Sequence, residues 1–228
     1  MKLGVLYSGG KDSTLALIKA QKYHEIACLI SIVSSNKESY MFHTPNIDMT
    51  LLHSQAMEIP LVRVMTKGEK EKELEDLKKA IQEAVTRYKI EGIITGAVRS
   101  TYQASRVQRI CHELGIWCFN PLWLQNQVEL LYEIVDKSIK AVISGVFAEP
   151  LDKSYLGAEI DKTMIEKLAK IESTHHINPA GEGGEIETTV LDAPAFKKKI
   201  TITKSSVKWN DNYNGIFEII DAKLENKQ

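Results

Sequence analysis

The sequence predicts an open, largely parallel α/β sheet with a smaller α+β unit behind it, and three observations carry that expectation. Strand-like apolar runs alternate with amphipathic helical patterns five times before Trp123. The first run passes through two glycines straight into a helical pattern, as in the βα turns of such sheets. Beyond Trp123 the alternation weakens and the tail turns β-like, so the expected division is 1–124 and 125–228.

Leu3-Gly4-Val5-Leu6-Tyr7 reads as a buried strand, and Leu15, Ala16, Ile18 and Ala20 mark a helix ending near His24. Ile26 to Val33 is almost continuously apolar, the pattern of a strand covered on both faces. After a polar loop, Thr44-Pro45 suits a helix start, and Pro60 stops that helix near Met57 or Glu58. Leu61 to Met65 is a third strand. Leu74, Leu77, Ile81, Ala84, Val85 and Tyr88 then recur at three and four residues, which predicts an amphipathic helix between Glu69 and Tyr88 with a solvated, charged outer face. Gly92 to Val98 is a fourth strand, with Gly96 near its end. A helix with Ala104, Val107, Ile110, Cys111 and Leu114 inward follows, and Ile116 to Phe119 is a fifth strand. In the second unit, Val128–Val135 and Ile160–Ile171 read as helices. Ala141–Phe147, Lys198–Thr203 and Gly215–Ile220 read as strands, and Gly181 to Thr188 breaks the pattern. No low-complexity linker separates the halves, so they are expected to pack tightly.

The chain has 228 residues, 43% hydrophobic and 26% charged, with a net charge of −1. That balance favours neither nucleic acid nor an anionic membrane surface. No apolar run approaches the roughly 20 residues of a membrane span. Cys28, Cys111 and Cys118 form no CxxC pair. This usage suits free thiols in a reducing cytoplasm, with Cys28 and Cys111 in the core.

Ser8-Gly9-Gly10-Lys11-Asp12-Ser13 joins the first strand to the first helix. A strand that turns through glycines into a helix N-terminus is an anion site: its N–H groups point outward, with roughly half a positive charge of helix dipole behind them. Glycine lets a phosphate approach the backbone, Lys11 adds a full charge, and Ser8 and Ser13 add hydroxyls. The spacing is not that of a Walker A loop. SGGKDS instead resembles the pyrophosphate-binding loop of the PP-loop ATP pyrophosphatases, of the adenine nucleotide α-hydrolase type. The resemblance implies ATP, cleaved between its α and β phosphates, at Ser8, Gly9, Gly10, Lys11, Asp12 and Ser13. Asp12 has two readings, a Mg²⁺ ligand or a helix cap.

Further segments resemble one branch of that group, the diphthine–ammonia ligases. They are Glu38 to Thr44, Gly68 to Glu73, Tyr102-Gln103 with Arg106, Asn120 to Trp123, Leu151-Asp152 with Leu156-Gly157, and Ala180 to Thr188 with its GEGGEIET run. The order of segments is kept to about Phe196, and the length resembles the compact archaeal form. Ala104, Gln108, Tyr155 and Ile186 depart from residues common in the family. The resemblance implies adenylation of the diphthine carboxylate on translation elongation factor 2, amidation to diphthamide, and release of AMP and pyrophosphate. A carboxylate does not react with ammonia because oxide would have to leave; adenylation supplies a good leaving group.

The resemblance also implies roles at the carboxyl ends of the strands. Lys11, Asp12 and Glu185 are the expected catalytic residues, with His43 and Gly96 beside the nucleotide. Arg99, Tyr102, Gln103 and Arg106 share a helix face by spacing, where the arginines grip the α-phosphate or the acceptor carboxylate, or form an exposed basic face. Glu182, Gly183, Gly184, Glu185 and Glu187, with Trp123, Tyr102 or Tyr155, are expected around the trimethylammonium group of diphthine. Glu185 has two further readings, Mg²⁺ binding or deprotonation of ammonium. The expected partners are the modified elongation factor and free ammonium, with no membrane and no direct nucleic-acid contact. A homodimer is compatible with the sequence.

Overall fold

The computed structural model describes residues 1–35, 45–69, 72–210 and 213–227. In chain order its elements are β1 (Lys2–Leu6), α1 (Lys11–Ala20), β2 (Glu25–Ser34), α2 (Thr50–Met57), β3 (Leu61–Thr66), α3 (Glu73–Tyr88), β4 (Gly92–Ile94), α4 (Thr101–Glu113) and β5 (Trp117–Phe119). Then come α5 (Gln127–Asp136), β6 (Lys140–Val146), α6 (Lys162–His175), β7 (Ile186–Asp192), β8 (Lys198–Asn210) and β9 (Asn214–Asn226). Short 3₁₀ turns occupy Ile47–Met49 and Lys153–Tyr155.

The first five strands form one parallel sheet in the order β3-β2-β1-β4-β5. Successive strands run outward from β1 in one direction and then from β4 in the other. The connections leaving the two paired central strands therefore part at the carboxyl ends, which opens a crevice between the β1 and β4 loops. Strands buried on both faces need the near-continuous apolar runs seen in β1 and β2. On one face, α3 and α4 bury Leu77, Ile81, Val107 and Ile110 against Ile30, Ile32, Val62 and Ile93.

The other face is covered by α1 and by the second half of the chain. One continuous buried cluster runs from Leu3, Val5 and Leu17 through Leu130, Leu131 and Ile134 to Ile143, Ile165 and Phe196. Lys19 of α1 also reaches Glu133 of α5 at 2.8 Å. The second sheet is antiparallel, β7-β6-β9-β8. Burial at this joint follows from the absence of a linker: both halves present apolar faces that neither could leave in water.

Several boundaries differ from the sequence expectation. Residues 186–192 are a strand, and the tail strands are 13 residues each. Both were obscured by polar side chains, Thr188-Thr189 in β7 and Lys204 to Lys208 in β8, where pairing rather than apolar alternation defines the strand. The helix expected from Thr44-Pro45 begins regularly only at Thr50. Asn46 sits at φ 60° because its amide is engaged by β9: Nδ2 donates to Phe217 O at 2.9 Å, and Oδ1 accepts from Ile219 N at 2.8 Å. β4 stops at Ile94, short of Val98, and α1 ends at Ala20. Cys28 and Cys111 are buried, as expected. The outer face of α3 carries ion pairs such as Lys79–Asp76 and Arg87–Glu83, but Glu73 at its start is buried.

Candidate active site

β1 delivers the chain into the crevice at Tyr7, and the following loop is fixed from beneath. Tyr7 Oη and Thr14 Oγ1 lie 3.0 Å apart, and Thr14 Oγ1 donates to Gly10 O at 2.9 Å. Ser13 Oγ donates to the same carbonyl at 3.1 Å, and Ser31 Oγ donates to Tyr7 O at 2.5 Å. Gly9 takes φ +83°, and a Cβ there would lie 2.7 Å from the His53 ring. Only glycine meets both conditions. Gly96, two residues beyond β4, is constrained by space alone: a Cβ would lie 2.7 Å from Ser13 N. The β4 loop thus packs on the first turn of α1, whose N–H groups have no intrahelical acceptors.

The second half of the chain meets this loop directly. Val190 N donates to Gly9 O at 2.9 Å, and Lys11 N donates to Thr188 Oγ1 at 3.1 Å. β7 therefore lies alongside the loop almost as an added strand. His53 locks the arrangement from α2 through a 2.7 Å bond between Nε2 and Val190 O. The carbonyl accepts, so Nε2 carries the proton, and burial pushes the imidazole down to about 4, against which the Val190 bond acts. His53 is neutral at physiological pH, with Nδ1 buried and unbonded. Asn46 and His53 were not singled out in the sequence, and Thr188 appeared only as the end of the GEGGEIET run, with no role. The β-branched run Thr188-Thr189-Val190 is a strand signal, and Met49, His53, Ala56 and Met57 share helical spacing on a buried face.

Lys11 is only 2% exposed. Its Nζ donates to Asp12 Oδ2 at 2.8 Å and to Ala180 O at 2.5 Å. Asp12 Oδ1 is buried and accepts no bond. Glu182 accepts from Arg99 N at 2.8 Å, so it caps the chain entering α4. Burial raises the Glu182 carboxyl, and the charge of Asp12 adds to that. Glu187, on β7, is pushed up to about 7, first by burial; Lys11 opposes, and Asp12 and Glu182 reinforce. One buried ammonium thus stands among three carboxylates, which share too little positive charge for all to ionise easily.

Glu185 is turned elsewhere. Oε1 accepts from Asn178 N at 2.9 Å and Asn178 Nδ2 at 2.6 Å, and Oε2 accepts from Gly183 N at 2.8 Å. Both oxygens are committed to the turn, so the geometry gives Glu185 a bracing position where catalysis was expected. Gly184 supplies φ +85° and Gly181 φ +79°, the latter with Ile186 O only 2.4 Å from where a Cβ would stand.

Arg99 precedes α4 instead of sharing its face with Tyr102, Gln103 and Arg106, because Ser100 caps the helix by accepting from Gln103 N at 3.3 Å. The Arg106 guanidinium stacks over the Tyr102 ring, 3.4 Å from its centroid, so one face of that ring is already covered by a cation. Trp123 is 37% exposed on the loop after β5, and Leu124 beside it donates its N–H to Val98 O at 2.8 Å. The structure therefore gathers residues 8–13, Gly96, Arg99, Glu182 and Glu187. His43 lies outside the described residues, as does the rest of the segment from Glu38 to Thr44.

Two family models match, "Diphthamide synthase N-terminal domain" over residues 1–118 and "Diphthamide synthase C-terminal domain" over residues 126–224. A diphthine–ammonia ligase of Homo sapiens is 34% identical over 228 aligned residues, covering 91% of this chain and 85% of that one. One from Schizosaccharomyces pombe is 33% identical over 91% of this chain, which spans only 37% of that longer protein. A solved structure, the predicted subunit of tRNA methyltransferase from Methanocaldococcus jannaschii, covers 85% of this chain and 98% of its own at 17% identity. Its TM-score of 0.43 is too low to carry an argument.

Proposed function

Because the chain belongs to the diphthamide synthase family, we propose that it is a diphthine–ammonia ligase. It uses ATP to adenylate the diphthine carboxylate of translation elongation factor 2 and amidates it with ammonia, releasing AMP and pyrophosphate. The observation that carries this reading is the meeting of the two glycine loops through Gly9–Val190 and Lys11–Thr188. An adenylating site and an acceptor site must share one reacting carboxylate, so they must be contiguous.

In this reading the first-turn N–H groups of α1 and the Lys11 ammonium hold the β and γ phosphates and stabilise the charge that develops as pyrophosphate leaves. Ser8, Ser13 and Gly96 line that cradle, and His43 is assigned to the nucleotide by the family resemblance alone. Arg99, Tyr102, Gln103 and Arg106, with Trp123, form the acceptor side. Glu182, with Gly183 and Gly184 shaping its loop, presents negative charge to the trimethylammonium group. The acceptor carboxylate attacks the α-phosphorus, ammonia then attacks the activated carbonyl carbon, and AMP departs. Glu187, poised near neutrality, takes the proton that the attacking nitrogen sheds. That role passes to Glu187 from Glu185, whose oxygens are spent on the turn.

Mg²⁺ fits the donor set at Asp12, whose Oδ1 is a buried acceptor without a bond. Among the described residues no three His, Cys, Asp or Glu side chains could hold a metal unaided. One carboxylate completed by phosphate and water is the usual Mg²⁺ arrangement, and the ion supplies charge neutralisation on the triphosphate. No helix among the described residues is long and apolar enough to cross a membrane. The work is proposed to take place in the cytoplasm on free ammonium, without direct nucleic-acid contact.

The test is incubation with ATP, ammonium and diphthine-bearing elongation factor 2. The expected result is AMP and pyrophosphate in step with amide formation. ADP and phosphate, or no turnover, would overturn the reading.

A further inference from the structure

The Glu182 loop and Lys11 are held by a polar relay that begins on α5, and it runs through a residue with no role in the chemistry above. Gln127 opens α5 and is 4% exposed. Its Oε1 accepts from Ala180 N at 3.1 Å, and its Nε2 donates to Asn178 Oδ1 at 2.8 Å. Asn178 passes the polarity on, donating Nδ2 to Glu185 Oε1 at 2.6 Å. At the other end, the carbonyl of the same Ala180 accepts the Lys11 ammonium at 2.5 Å.

The direction of every bond is forced. Both oxygens of Glu185 already accept from backbone N–H groups, of Asn178 and Gly183, so it is the NH₂ of Asn178 that faces Oε1. Asn178 Oδ1 must then face Gln127, and Gln127 can satisfy it only with its NH₂. That leaves Gln127 Oε1 for the Ala180 N–H; the Ala180 carbonyl belongs to the next peptide unit, whose Gly181 N–H donates to Asn178 O at 2.8 Å, so both units flanking Ala180 are held and its carbonyl meets Lys11. The loop leaves room for the relay: a Cβ on Gly183 would lie 2.7 Å from Glu185 Oε1 and 2.8 Å from Asn178 Nδ2. Amides whose oxygen and nitrogen are both engaged resist reorientation, and one unmade bond in such a chain leaves several groups unsatisfied.

We infer that Gln127 is a positioning residue for the ligase, which through Asn178 and Ala180 sets the place of the Lys11 ammonium and of the Glu182 loop. The inference rests on the function proposed above only for its kinetic consequence. Gln127→Met keeps the length and removes the polarity, whereas Gln127→Glu keeps an acceptor for Ala180 N–H and loses the donor. Leu131→Ala, in the buried core on the same helix, is the control for lost stability alone.

The experiment compares the three intact variants by thermal unfolding, by kcat and KM for ATP in pyrophosphate release, and by the ¹⁵N resonance of the Lys11 ammonium. The expected result for Gln127→Met is a kcat lowered about 10- to 100-fold per folded molecule with KM changed less than about threefold. Its Lys11 resonance shifts, Gln127→Glu recovers part of the rate, and Leu131→Ala keeps both rate and resonance. A Gln127→Met protein with an unmoved Lys11 resonance, or with no greater kcat loss than an equally destabilised Leu131→Ala, overturns the inference. If the unaltered protein releases no pyrophosphate, the functional reading fails while the resonance still decides whether Gln127 positions Lys11.

Discussion

The two glycine loops that meet in the crevice are built by opposite means. In residues 8–13 the glycines let backbone pack against backbone and ring, so the working groups are N–H dipoles and one buried ammonium. In residues 181–187 Gly183 leaves space for side chains while Gly181 again packs on backbone, and the polar groups presented are carboxylates, Glu185 holding the turn while Glu182 and Glu187 face Asp12 and Lys11. Motif spacing announces the first kind of loop because the backbone geometry is local. The second depends for its placing on side chains and backbone far away in sequence, such as Arg99 and Gln127, as well as on nearby Asn178. A phosphate changes little between the substrates of such enzymes, whereas an acceptor must be discriminated, and the two constructions suit those tasks.

The contrast gives graded expectations. The largest concerns charge: Lys11→Met should lower kcat by about 100- to 1,000-fold in a folded protein, read from steady-state pyrophosphate release. An activity within threefold of the unaltered chain would remove Lys11 from the transition state. Next comes the backbone. Gly9→Ala combines φ +83° with His53 at 2.7 Å, so chemical denaturation should show a loss of about 2–3 kcal/mol. Gly184→Ala shares the positive φ but meets nothing within 4 Å, and should cost about 1 kcal/mol. Equal losses would dissolve the distinction between the loops.

The third expectation uses two opposed titrations. Glu187 is raised from 4.5 to about 7, so between those values the folded chain keeps a proton that the unfolded chain has lost. Its contribution is fully present below pH 4.5 and is lost as pH rises toward 7. His53 is lowered from 6.5 to about 4, so its contribution is present above pH 6.5 and is lost as pH falls toward 4. The two largely cancel in the unaltered protein. Glu187→Gln should unmask a stability that rises with pH from 4 to 6.5. His53→Gln, which retains an N–H for Val190 O, should unmask one that falls from 4.5 to 7. Each slope should amount to about 2–3 kcal/mol across its window, measured by denaturation at several pH values. Parallel profiles for both variants would show that neither group is perturbed as the geometry requires. The smallest effect belongs to neither loop: Lys79→Ala on the solvated face of α3 should change stability by less than about 0.5 kcal/mol.

How much of this was legible follows the same division. The five parallel strands could be read because a sheet covered on both faces must be apolar throughout, as in Ile26 to Val33. The phosphate loop could be read because strand, glycines and helix start are adjacent in the chain. β7 could not, since its site-facing residues are Thr188 and Glu187, chosen for the partners they meet and not for burial. His53 resembles any polar helix position until Tyr7 and Phe196 enclose its ring at centroid distances of 5.5 and 5.6 Å. The family motif located Glu182, Glu185 and Glu187 together, but only the Asn178 and Gly183 bonds separate the brace from the two acids facing Lys11. Arg99 was set on the wrong face because Ser100, and not the spacing of basic residues, begins α4.

In the proposed reaction the two loops make one site, in which the acceptor is adenylated before ammonia attacks. This is tested most directly by exchange of labelled pyrophosphate into ATP, with diphthine-bearing elongation factor 2 present and ammonium left out. Exchange should require the modified factor and disappear in Lys11→Met. Exchange that proceeds equally without the factor, or none with it while amide still forms on adding ammonium, would contradict it.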